Sequence, residues 1–356
     1  MFFSDLKETL TTPSRKRTHI FLGIGVFLII LIIIIIICVA TSGNNSSETD
    51  IDINNNNNNK EDEKKSPFQS YIDSKKYLYV WKYPNAENLI NFLVDHKYSK
   101  IYLYVGCVEW NIEQLIKGEL YSPGDIDAKI LINRLIEKNI EVELCIYLND
   151  SPNNFENVDK MPEIAKALAE LQKTLKFTAL HFDVEPSSNG NLEALLHMYE
   201  DCRKYIKVSA ILKPAWLNKK MSDLESVFTS ADYYKQFKDC ETFIDAIMTV
   251  TDYTDLMAYS NNYNNVNSFL DKFETIRKRH TSNIAKPVLE FDPKIVDEGL
   301  YLRYKEDKDK FFNYFVNVSK QFDGVTMHQY QVWYQDLYCE EPLKESTYYF
   351  GTPKEC

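Results

Sequence analysis

The chain has 356 residues and 44% apolar content, enough for one large α/β domain or two average ones. A net charge of -11 argues against a nucleic-acid partner, whose phosphates need a basic surface. With only ten glycines and neither GxGxxG nor GxxxxGK[ST], a dinucleotide fold or P-loop is excluded, and no cofactor is expected.

Residues 1–18 are polar and carry Arg15, Lys16 and Arg17 together. Ile20 to Ala40 then runs without one charge, a helix of about 31 Å against a hydrocarbon core of roughly 30 Å. The expectation is a transmembrane signal anchor over 19–40, with the lipid bilayer held through residues 20–40. Signal-peptide apolar regions are shorter, roughly 7 to 15 residues, although Ala40, Thr41 and Ser42 leave cleavage and secretion as the alternative. The basic residues before the span put the N-terminus in the cytosol, giving a single-pass type II protein with its C-terminal domain lumenal or extracellular. Residues 41–75, with six consecutive Asn at 54–59 and then KEDEKK, read as a disordered Asn-rich stalk. Asn44, Asn45, Asn149 and Asn317 head Asn-x-Ser glycosylation signals, which matter only on that side of the membrane. Cys38 lies in the span; Cys107, Cys145, Cys202, Cys240, Cys339 and Cys356 are an even number that suits disulfides in an oxidising compartment. Cys145, within a strand, also reads as a buried small hydrophobe.

From Lys76 onward, short apolar strands alternate with helical patterns. Strands are predicted at 77–81, 100–106, 141–148, 177–186, 207–212, 254–260, 286–292 and 323–330. Between them, stretches such as AENLINFLVDH, DAKILINRLIEK, EIAKALAELQKTL, LEALLHMYEDCRKYI and DKDKFFNYFVNVSKQ space apolar residues three and four apart. Eight βα units in about 280 residues predict an α/β fold, an eight-stranded parallel (β/α)8 TIM barrel over 76–356 behind the N-terminal transmembrane helix. The rival is an open doubly wound sheet.

The fourth strand, FTALHFDVEP over 177–186, alternates. Leu180, Phe182 and Val184 point one way; His181, Asp183 and Glu185 point the other, into a barrel mouth. Other strand ends offer Trp81 and Tyr83, Glu109 and Trp110, Asn149 and Asp150, Tyr259 and Ser260, Glu290 and Asp292. The last strand brings His328, Gln329 and Tyr330, with Trp333 beyond. Acids among Trp and Tyr suit a sugar ligand, since acids transfer protons and ring faces stack on a pyranose.

The fourth strand is similar to that of the family 18 glycoside hydrolases and related chitinase-like barrels, whose motif is DxxDxDxE. Glu185 and Asp183 match its last two acids, while His181 and Thr178 stand where the family has Asp. The resemblance implies that Glu185 protonates the glycosidic oxygen and that Asp183 orients an N-acetyl group whose carbonyl oxygen acts as nucleophile. The family's MxYD is Met257-Ala258-Tyr259-Ser260 here, so Tyr259 would touch the acetamido group. No SxGG follows the third strand, and Gln329 stands near the family's eighth-strand Trp. The implied partner is a glycan or glycoconjugate bearing N-acetyl groups. Apolar surroundings are expected to raise the pKa of Glu185, and an imidazole at His181 is expected to keep Asp183 ionised.

Three other readings stand beside this one. A barrel with a damaged motif could bind glycans without cutting them, as a lectin-like surface module. Glu185-Pro186 and Glu290, at the ends of strands four and seven, could instead be the acid and nucleophile of a retaining glycosidase. A metal-dependent hydrolase using His181, Asp183, Glu185 and His328 is the weakest, since no HExxH accompanies them.

Overall fold

The computed structural model of the chain describes residues 65–148, 155–292 and 299–338. Within them the order is α1 (Pro67–Asp73), β1 (Lys76–Val80), α2 (Ala86–Asp95), β2 (Lys100–Cys107), α3 (Val108–Ile116), α4 (Ala128–Glu137) and β3 (Glu141–Leu148). Next come α5 (Met161–Leu175), β4 (Ala179–Val184), α6 (Leu192–Arg203), β5 (Val208–Leu212), α7 (Ala231–Tyr234), α8 (Phe243–Val250) and β6 (Tyr253–Met257). The remainder is α9 (Tyr263–Arg277), β7 (Ile284–Glu290), α10 (Tyr301–Glu306), α11 (Lys308–Phe322), β8 (Val325–His328) and α12 (Tyr330–Tyr338).

The strands pair in sequence order, all parallel, and β1 meets β8 through Lys76↔Val325, Tyr77↔Thr326 and Leu78↔Met327. That closure removes the open edges of the rival sheet. All eight strands fall where the sequence predicts them.

Period-two alternation sorts the side chains into two apolar compartments. Leu78, Leu103, Leu144, Leu180 and Phe182 face outward against the helices. Inside the barrel, Tyr77, Tyr79, Tyr102, Cys145, Ile211, Met257 and Val288 form a second cluster. The helices cover the outer face with residues at helical spacing, as in α5, where Met161, Ile164, Ala165 and Leu168 are buried. Each fully buried Leu or Ile contributes about 1.5–3 kcal/mol.

Two glycines are required by close approaches. A Cβ on Gly124 would lie 2.0 Å from the Tyr83 ring. At Gly324, φ is +129° and a Cβ would lie 2.7 Å from the Tyr77 hydroxyl, just before the strand that closes the barrel.

The structure corrects the stalk boundary. Residues 67–73 form α1, capped by the Ser66 side chain accepting from the Gln69 N–H at 3.1 Å, with Pro67 at the first turn. Tyr71 and Ile72 are buried, and the Tyr71 ring packs 5.1 Å from Phe312 and 5.0 Å from Phe315 on α11. The helix is thus part of the barrel's shell. Among the described residues the disulfide expectation is not met: Cys107, Cys145, Cys202 and Cys240 are free thiols, the first three buried. Cys145 faces the barrel interior as a small hydrophobe. Cys38, Cys339 and Cys356 lie outside the described residues, as do Asn44, Asn45, Asn149, Asp150 and the apolar run 20–40. No helix among the described residues is long and apolar enough to cross a membrane.

Candidate active site

At the C-terminal ends of the strands, side chains from most of the barrel converge. On β4, Asp183 is buried, and Glu185 follows two residues later on the same face with 35% of its side chain exposed. The Lys213 ammonium, just beyond β5, lies 3.9 Å from Glu185 Oε2 and donates to the Glu185 carbonyl at 3.2 Å. Burial, then the neighbouring Glu185 charge, push the Asp183 carboxyl up to about 7, with His328 opposing. Asp183 so placed keeps its proton to near neutrality.

On the opposite side of the mouth runs a hydrogen-bonded chain. The Trp81 indole N–H donates to His328 Nε2 at 2.7 Å, and His328 Nδ1 bonds Glu290 Oε2 at 2.7 Å. An indole can only donate, so Nε2 accepts and the ring carries its proton on Nδ1. Glu290 is itself fixed, because its Oε1 accepts from the backbone N–H groups of Phe291 at 2.7 Å and Asp292 at 2.6 Å. Burial disfavours an imidazolium at His328, yet Glu290, Asp183 and Asp292 outweigh it and hold its pKa above the ordinary value. Gln329 donates to Asp292 Oδ2 at 3.3 Å.

Aromatic rings line the mouth between these groups. Trp81 packs 5.4 Å from Tyr104 and 6.4 Å from Tyr147, and Tyr259 lies 6.0 Å from His328. Tyr79, Tyr104 and Tyr147 are not among the residues expected at the strand ends. Their signal was the same alternation as on β4: Tyr77, Tyr79 and Trp81; Lys100, Tyr102 and Tyr104; Glu143, Cys145 and Tyr147.

His181 sits deeper than expected. It is fully buried, with Nε2 2.6 Å from the Tyr79 hydroxyl and Nδ1 2.8 Å from Ser209 Oγ. Burial, then the Lys100 charge, hold its pKa well below the ordinary value, so it is a neutral ring inside the barrel. The expectation that it would keep Asp183 ionised is therefore corrected: it carries no charge, and Asp183 titrates high. Below it, Lys100 pairs with Glu143 at 2.7 Å and Tyr102 donates to Asp255 at 3.0 Å.

Three expected ligand contacts lie elsewhere. Tyr83 is buried, donates to the Ile126 carbonyl at 3.1 Å and packs on Gly124. Tyr330 packs on Phe92, with ring centroids 5.5 Å apart. Trp333 is buried outside the barrel, 4.1 Å from the Phe291 ring and 5.4 Å from Tyr304. Both belong to α12, where the helical period turns them away from the mouth. The apolar surroundings expected of Glu185 are also corrected, since Lys213 and solvent border it. Among the described residues, no group of three His, Cys, Asp or Glu side chains is placed to hold a metal ion. Glu109 and the exposed Trp110 open α3 at the rim.

No protein-family model matches the chain. No curated protein sequence matches it either. Among solved structures it is similar to a family 18 chitinase of Pseudoalteromonas aurantia, with TM-score 0.48 and 13% identity over 72% of this chain and 94% of that one. A chitinase of Chromobacterium violaceum matches with TM-score 0.41 and 12% identity, over 61% of this chain and 68% of that one. A tamarind chitinase-like lectin matches with TM-score 0.42 and 10% identity, over 74% of this chain and 96% of that one. At such identities the likeness is one of fold, and the (β/α)8 assignment rests on the strand pairing itself. What the chain is similar to is chitinases and chitinase-like proteins, the group that its fourth strand resembles.

Proposed function

We propose that this barrel is a glycoside hydrolase acting on N-acetylated glycans, with Glu185 as general acid, Asp183 as its orienting partner and Tyr259 as a contact to the acetamido group. The observation that carries this reading is the Asp183–Glu185 pair at a mouth lined by Trp81, Tyr104, Tyr147 and Tyr259, with the buried Asp183 retaining a proton to about pH 7. The roles come from the family resemblance. Glu185 gives its proton to the glycosidic oxygen as the C–O bond breaks. The substrate's acetamido oxygen bonds the anomeric carbon, with Asp183 holding the amide N–H. Water then opens that intermediate and returns a proton to Glu185.

Asp183 gains or loses its proton beside Glu185 at about pH 7, so kcat/KM is expected to change with pH through that value. The test compares the full chain with Glu185→Gln on β-1,4-linked N-acetylglucosamine oligosaccharides. Turnover should drop at least ~100-fold while binding persists. Equal turnover in both proteins would remove Glu185 from the chemistry.

A lectin-like reading is the second, and Lys213 favours it. The ion pair at 3.9 Å is a contact that the Glu185 carboxylate makes and the acid does not. Binding without turnover in both proteins would decide for it. The retaining mechanism through Glu290 has less support, because both oxygens of Glu290 are engaged by His328 and two backbone N–H groups.

The location is proposed from sequence alone. The apolar run from Ile20 to Ala40 behind Arg15, Lys16 and Arg17 supports a single-pass type II anchor with the barrel lumenal or extracellular. Free thiols at Cys107, Cys145, Cys202 and Cys240 take away the cysteine argument for that compartment. Protection of the C-terminal domain from added protease in sealed microsomes checks it.

A further inference from the structure

The Trp81 indole N–H is aimed at His328 Nε2, and the ring stands half-buried at the mouth, where a ligand would meet it. The bond at 2.7 Å exists only while His328 Nε2 has its lone pair. A second proton on the ring turns Nε2 from acceptor into donor, facing another donor.

We propose that His328 and Glu290 are positioning residues that clamp Trp81 as a ligand-stacking platform, and that protonation of His328 releases the clamp. This rests on the glycan reading only for the identity of the ligand.

The groups that face His328 set when release happens. Glu290 on β7 bonds Nδ1 at 2.7 Å, and its other oxygen is locked by two backbone N–H groups, so it stays beside the ring in either state. Asp183 from β4 and Asp292 beyond β7 add negative charge. From β1 the Tyr79 ring stands edge-on at 5.5 Å, and from just beyond β6 the Tyr259 ring lies tilted at 6.0 Å. Glu290 and Asp292 favour the imidazolium, as does Asp183 where it is ionised, while burial and the Trp81 N–H oppose it. The ring is thus poised between two hydrogen-bonding states. In the neutral state the indole edge is fixed from below, and its stack on Tyr79 at 6.2 Å and its tilted contact with Tyr104 at 5.4 Å hold the plane. Losing one aromatic stacking partner weakens a ligand roughly three- to tenfold. Affinity is accordingly expected to fall by about that factor as pH drops through the His328 titration.

The test uses the full chain labelled with 15N-tryptophan, which contains four tryptophans, the Trp81 indole signal being assigned by its loss in Trp81→Phe. From pH 8 to 5, that N–H should shift upfield along a single titration as its imidazole acceptor disappears. Trp110, Trp216 and Trp333 should hold still. His328→Gln offers a carbonyl acceptor that does not titrate; it should keep the indole bonded and abolish the shift. A Trp81 signal that ignores pH, or that titrates unchanged in His328→Gln, overturns the clamp. The same samples are then titrated with a β-1,4-linked N-acetylglucosamine tetrasaccharide. Affinity that falls in acid for the wild type and not for His328→Gln supports ligand positioning; affinity that ignores pH overturns it. An indole that titrates with no binding at any pH supports the clamp and overturns the glycan reading.

Discussion

Asp255 is a carboxyl inside a barrel, 1% exposed, with the Tyr102 hydroxyl at 3.0 Å and His181 Nδ1 3.7 Å from its second oxygen. Burial lifts its pKa to about 7; Lys100 opposes the shift and Glu143 adds to it. One ammonium faces two carboxylates here, and the closer of them, Glu143 at 2.7 Å, makes the ion pair. Between the ordinary value of 3.8 and about 7, the folded chain holds a proton at Asp255 that the unfolded chain has released. Stability contributed by this group is therefore greatest below the lower value and declines as pH rises through that window, by about 1.4 kcal/mol per unit at most. Asp255→Asn keeps the shape and removes the titration. Urea unfolding at several pH values should give the variant a shallower fall in stability between pH 4 and 7 than the wild type. Parallel curves would mean that Asp255 does not carry the proton.

At the scale of elements, α1 shows a lysine used as a helix terminator. Lys76 opens β1 with its ammonium fully buried, donating to the carbonyls of Tyr71 at 3.0 Å, Ile72 at 2.7 Å and Ser74 at 3.2 Å. Those carbonyls end α1 and have few helical partners of their own. Replacing Lys76 with Met keeps the stem and takes a donor from all three carbonyls, leaving Tyr71 only its bonds from the Ser74 N–H and hydroxyl. We expect a loss of about 2–3 kcal/mol in unfolding free energy, and amides of α1 that exchange earlier than those of β1. A variant as stable as the wild type would show that water replaces the ammonium at no cost. The strand β4 was legible because an apolar run buried on its outer side forced the acids to the inner one. Helix α1 was not, since seven residues behind a charged stalk carry little periodicity; its signal was the Ser66–Pro67 start followed by Tyr71 and Ile72. Tyr330 and Trp333 were misassigned because the chain turns from strand to helix after His328, where a period of two no longer says which way a side chain points. His181 was misjudged in depth rather than direction. Alternation gives the face, whereas the register with Cys145 and Ser209 places the residue below the mouth, and register is a property of neighbouring strands.

For the whole molecule, closure is the property that separates this barrel from an open sheet built of the same units. The repeat of strand and helix was readable from Lys76 onward, but the return of β1 to β8 depends on Tyr77 meeting Thr326 across the whole sequence, and on Gly324 leaving room for the Tyr77 ring. A closed ring cannot expose its interior by fraying an edge. Cys145 reports on this, since its thiol lies inside the barrel and is pushed well above its ordinary pKa by burial. Cys240, only half-buried on the surface, reports on local motion. With a thiol alkylator and peptide mass spectrometry on the full chain, Cys240 should label without denaturant. Cys145 should label only through opening of the barrel, at a rate that climbs with urea along the slope of global unfolding. Labelling of Cys145 at a urea-independent rate would show that two strands part while the rest stays folded, and closure would then be a feature of the average structure alone.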